Sequence, residues 1–109
     1  MKGRPEAIEV LEKALQISVY DARIHQALLP LYRAEGNTKK VIRSARFLVK
    51  LLPDDVGDEV ALELWLDLAA ALLEDGQQEE ARAALREAQE LDGEAPRLQE
   101  LKKKLQEEE

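Results

Sequence analysis

The chain has 109 residues, one domain's worth, with 45% hydrophobic but only 4% aromatic side chains, so its core must come from Leu, Ala, Val and Ile, which suits helices. Cysteine is absent, which excludes disulfides and thiolate metal sites. The net charge of -7 is uneven: residues 21–53 hold seven basic and two acidic side chains, whereas residues 54–95 hold two basic and fourteen acidic.

Six amphipathic segments follow in chain order. The first, about 5–19, places Ala7, Ile8, Leu11, Ala14, Leu15 and Ser18 on one side at helical spacing, with Pro5 in the first turn, where its missing N–H costs little. The second, about 22–35, stops at Gly36, a residue able to take the left-handed conformation at a helix C-terminus. Pro30 lies inside it and predicts a kink, or a break into two short pieces. Asn37 is a good N-cap for the third, which runs to about Leu52 before Pro53. The stretch FLVKLL contains β-prone residues, but the apolar spacing from Val41 to Leu52 is helical. The fourth spans about 58–75 and stops at Gly76; the fifth covers about 78–91. The sixth begins near Pro96, carries Leu98, Leu101 and Leu105, and is expected to fray at its terminal EEE, where carboxylates meet the negative end of the helix dipole.

An internal period joins these segments. Leu28, Tyr32, Gly36, Val41, Ala45 and Leu48 precede Leu68, Leu72, Gly76, Ala81, Leu85 and Ala88 by 40 residues. The first segment joins at a different offset: Ala7, Leu11 and Ala14 precede Val41, Ala45 and Leu48 by 34. Ala81 and Ala88 are small where the fifth helix must bury a face, which permits close helix packing at about 8–10 Å between axes. Val41 and Leu48 are large at the matching places and Ala45 is small, so volume is exchanged rather than lost.

This pattern resembles the tetratricopeptide repeat, a 34-residue helix–turn–helix unit. Trp65, Leu68, Ala69, Gly76, Ala81 and Ala88 match one copy; Leu28, Tyr32, Gly36 and Pro53 match another more loosely. The resemblance implies an all-α fold in which antiparallel helix pairs form a short right-handed α-solenoid. Residues 1–21 would be a half repeat, 22–55 and 62–95 full repeats, and 96–109 a C-terminal capping helix. The six additional residues VGDEVA would lengthen the fourth helix at its start.

No catalytic constellation is present: there is one histidine, no Gly-rich phosphate loop and no calcium-loop spacing, and a non-enzymatic protein without metal or cofactor is expected. The resemblance places His25 where the family often has tryptophan, so it reads as a packing residue. It also implies a concave groove that binds a peptide or partner helix. Carried over by position, the groove would present Arg23, Gln26 and Arg33 from one repeat and Glu63, Leu66, Ala70 and Leu73 from the other. Family members that clamp a peptide C-terminus use Lys and Asn there; Gln26 and Pro30 disfavour that ligand. Leu66, Ala70 and Leu73 form a second apolar stripe beside Trp65, Leu68, Ala69 and Leu72, either open to a partner or covered by neighbouring helices.

Lys39, Arg43, Arg46 and Lys50 form a basic stripe at i, i+4, i+7 and i+11. It reads either as a solvated face pairing with acids such as Glu9 and Glu12, or as a contact for an acidic partner or nucleic acid. Few aromatics accompany it, and the polar charge layout argues against nucleic-acid binding by the whole chain. Ile8, Leu11 and Leu15 are expected to show an uncovered N-terminal flank, because a half repeat lacks its own partner helix. A longer array or a homodimer would cover it. Apolar runs fall short of the roughly 18 residues of a membrane span, and MKGRPEAIEV has no signal-peptide core, so a cytoplasmic setting is expected. The segment HQALLPLYRAEGNTKKVIRSARFLVKLL is also similar to the helical domain of bacterial transcription activators. A regulatory or oligomerisation domain, or a small client-binding secretion chaperone, are the alternative roles.

Overall fold

The computed structural model describes residues 6–52 and 56–108. Among them are six α-helices and no strand: α1 Glu6–Ile17, α2 Ala22–Glu35, α3 Thr38–Lys50, α4 Asp58–Glu74, α5 Gln78–Leu91 and α6 Pro96–Glu108. Pro5, Pro53 and Glu109, to which a helix start, a helix stop and part of the terminal fraying were ascribed, lie outside the described residues. The helix continues through Glu107 to Glu108.

Local chemistry sets the boundaries. Asp21 caps α2 by accepting the Arg23 backbone N–H at 2.9 Å. Its carboxyl lies below the ordinary carboxylate range because the Arg23 side chain, and then that N–H, bind it; the same contact raises the Arg23 guanidinium. Asn37 Oδ1 accepts from the Lys40 N–H at 3.3 Å, as the N-cap reading required. Gly36 and Gly76 adopt φ of 75° and 80°, the left-handed region where a Cβ is strained. Pro30 does not break α2, which is one helix through it, with the ring exposed. VKLL is helical up to Lys50 and turns at Leu51.

Each helix packs on its neighbour in the chain, and α4 also packs on α6. The molecule measures 38 × 38 × 20 Å. A thickness of 20 Å holds two layers of helices, each about 10 Å across. The core gathers Ile8, Leu28, Tyr32, Leu66, Leu72 and Leu98, all essentially inaccessible. Ala81, Ala84 and Ala88 are buried on α5, so the small face is the covered one. The longest helix, α4, has 17 residues against 14 in α2. It packs against α3, α5 and α6, which buries Leu64, Leu66, Leu68, Leu72 and Leu73. A helix apolar nearly all round belongs inside.

Two expectations about exposed apolar surface need correction. Ile8 and Leu15 are buried and Leu11 is half-buried, so they are the face that α1 turns into the core, not an open flank. Likewise Leu66, expected in the groove, belongs to the core, because α4 has neighbours on three sides. No helix among the described residues is long and apolar enough to cross a membrane.

Candidate interaction cleft

A cleft of about 440 Å³ opens where α2, α4 and α6 face one another. Its lining combines apolar Ala70, Ala71, Leu73 and Leu101 with charged Arg33, Asp67, Glu74, Arg97, Lys104 and Glu107. Three basic and three acidic side chains leave it electrically balanced.

Asp67 organises the charged end. Although charged, it projects from the most buried helix, and its side chain is 8% exposed. Isolated, such a carboxylate would be costly to desolvate. Two guanidiniums compensate it. Arg33 on α2 places Nη1 at 3.3 Å from Oδ1, and Arg97 on α6 places Nη2 at 2.7 Å from the same oxygen. Arg97 also donates from Nη1 to Glu63 Oε2 at 2.9 Å. The pairs to Oδ1 are close but poorly aligned, and that oxygen accepts no well-formed hydrogen bond from the described residues. The binding at Oδ1 is therefore mainly coulombic. Glu63, Asp67, Arg33 and Arg97 thus tie three helices together around one buried charge.

Sequence reasoning found part of this constellation. Arg33, Ala70 and Leu73 line the cleft, and Glu63 sits at its rim through Arg97. Arg23 and Gln26 are exposed outside the lining; the Arg23 guanidinium is held by Asp21 at 3.1 Å. Leu66 is walled into the core. Asp67, Arg97, Leu101 and Lys104 were missed, because they come together only where α6, read as a capping helix, packs on α4. One signal was available: Glu63 and Asp67 stand at i, i+4 on a helix, a repulsive spacing unless a cation comes between them.

The basic stripe is largely engaged within the molecule. Lys39 Nζ binds Asp75 Oδ1 at 3.2 Å, and Arg46 Nε donates to Glu80 Oε2 at 2.7 Å. Gln77 and Lys39, in that order, hold the Asp75 carboxyl below its ordinary range. Arg43 donates to the Tyr32 hydroxyl at 3.4 Å, while Lys50 is exposed at the helix end. Glu12 does pair with a lysine, but with Lys40, off the stripe, at 2.8 Å. The acids that meet the stripe come from the α4–α5 turn and α5 rather than from α1.

His25 is buried, with Nε2 3.0 Å from the Val19 carbonyl and Nδ1 3.2 Å from Ser44 Oγ. Its ring lies 4.3 Å from Phe47, which stacks on Tyr20 at 5.9 Å. It therefore joins the α1–α2 turn to α2 and α3. Among the described residues no group of three or more histidine and acidic side chains is placed to hold a metal ion. Compared with known proteins, the chain matches no family model and no curated protein.

Proposed function

We propose that the chain is a tetratricopeptide-like, non-enzymatic interaction module whose helix pairs coil right-handedly and whose cleft between α2, α4 and α6 binds a short stretch of partner polypeptide. The observation that carries this reading is the cleft itself. Its volume lies within the roughly 300–1,000 Å³ of ordinary ligand sites, its floor is apolar and its walls carry both charges. Arg33 is 48% exposed and commits only Nη1 to Asp67 among the described residues. A guanidinium has five donors in a fixed fork, so most of those of Arg33 face a partner's carbonyls or carboxylate. Small Ala70 beside them leaves room for one inserted side chain. The repeat offsets, the two-layer slab and the packing of each helix on the next support the solenoid reading. The lone histidine is engaged in packing, which supports the non-enzymatic one.

The test is selection of peptides from a random displayed library on the folded protein, followed by anisotropy titrations. Ala70→Arg and Arg33→Glu are expected to weaken the selected peptides at least tenfold while the circular dichroism spectrum stays helical. Equal affinity in both variants, or no peptide enriched above background, rejects the cleft as the binding site.

A further inference from the structure

Helix α1 differs from every other described helix in having one packing neighbour, α2. In contrast, α3 lies between α2 and α4, and α5 between α4 and α6. The consequence is visible at matching positions. Val10 and Ala14 correspond, 34 residues on, to Ser44 and Leu48, and 74 residues on to Ala84 and Ala88; all four of the later residues are buried. On α1, Val10 is 57% exposed, Ala14 is half-buried, and Ala7 is exposed. Ile17, at the end of the same stripe, is 87% exposed. Ala7, Val10, Ala14 and Ile17 recur at i, i+3, i+7 and i+10, one continuous arc beside the Ile8 and Leu15 face that enters the core. Tyr20, 79% exposed, extends the patch beyond the helix end.

We propose that this arc is a self-association surface on which two copies pair antiparallel through α1, about a twofold axis passing near residue 12. Three observations select a second copy as the occupant. The stripe is self-complementary: run antiparallel, Ala7 meets the Ile17 of the other copy and Val10 meets its Ala14, so every layer sets one small against one large side chain. In a twofold interface each such contact occurs twice. The charges permit it as well. On α1, Glu12 is already bound by Lys40, which leaves Glu6, Glu9 and Lys13, while most of the surplus of acid lies in residues 54–95, so repulsion between the copies is small. Finally, the opposite end of the molecule offers no apolar mate: Gln99, Glu100, Lys103 and Gln106 are exposed on α6. Head-to-tail stacking is thereby disfavoured. This pairing is independent of the cleft, which lies on α2, α4 and α6.

Sedimentation of the full chain tests the proposal, and the natural lack of cysteine allows an unambiguous cross-linking test. The wild type is expected to pass from monomer to dimer at high micromolar concentration. Ile17→Lys and Val10→Glu, both at solvent-facing sites, are expected to weaken dimerisation at least tenfold with unchanged helicity. The double variant Ala7→Cys/Ile17→Cys should form disulfide-linked dimers on mild oxidation. Ala7→Cys alone should not, because the two copies of residue 7 would lie about 15 Å apart, beyond disulfide reach. A monomer at all concentrations, a dimer indifferent to Ile17→Lys, or efficient linkage through Ala7→Cys alone overturns the proposal.

Discussion

Arg97 Nη2, on α6, stands 2.7 Å from Asp67 Oδ1, on α4, and the two side chains are unequally exposed, 31% against 8%. That inequality sets the outcome of removing either partner. Without the carboxylate, both arginines turn back to water. Without Arg97, a buried carboxylate keeps only the more distant Arg33. Arg97→Met is therefore expected to destabilise by about 2–3 kcal/mol and Asp67→Asn by about 1 kcal/mol. Urea denaturation of both variants and of the double variant gives the coupling. An equal or reversed order would show that Asp67 is not the group the arginines compensate.

The small face of α5 should tolerate no enlargement. Ala81 and Ala88 are fully buried, whereas Ala83, on the same helix, is exposed. Ala81→Leu and Ala88→Leu are expected to cost about 1–3 kcal/mol each through overpacking, and Ala83→Leu to stay within about 0.5 kcal/mol. Thermal melts followed by circular dichroism check this, and three similar melting points would contradict close packing at that face.

His25 should matter for anchoring rather than for chemistry. His25→Phe keeps a ring beside Phe47 but abandons the Val19 carbonyl and the Ser44 hydroxyl. A loss of about 2 kcal/mol is expected, with faster amide exchange in residues 18–21, the turn that His25 holds. Exchange unchanged in that turn would mean the contact to Val19 carries no weight.

Asp75 contributes stability that depends on pH. Gln77 Nε2 donates to it at 2.7 Å and Lys39 at 3.2 Å, which keeps the carboxyl below its ordinary 3.8. A depressed folded-state value means stabilisation fully present above the unfolded value and lost as pH falls through the folded one. The wild type should therefore melt higher than Asp75→Asn at neutral pH, and the gap should close as pH drops below about 3.8. A gap constant from pH 7 to 3 would remove the carboxylate from the account.

The cleft illustrates why half of a site can be read in advance. Arg33, Ala70 and Leu73, which the repeat resemblance carries over by position to the groove, do line the cleft. Arg97 was missed because its role depends on α6 folding back onto α4, a contact that no local pattern encodes. Asp67 was missed for the same reason. An acid in a largely apolar helix looks like a solvent-facing residue until the tertiary fold brings two cations to it.

What the sequence determined by itself is everything decided within about one helical turn. Gly36 and Gly76 stop helices because only glycine enters the left-handed region freely, Asn37 caps α3 because its side chain reaches the next turn, and Ala81 and Ala88 share a face because the period is 3.6. The tertiary structure decided how many neighbours each face acquires. Two apolar stripes on α4 were largely buried because three helices surround it, and one stripe on α1 stayed in water because a single helix does. Periodicity says which side chains point the same way; only chain segments distant in sequence can cover them.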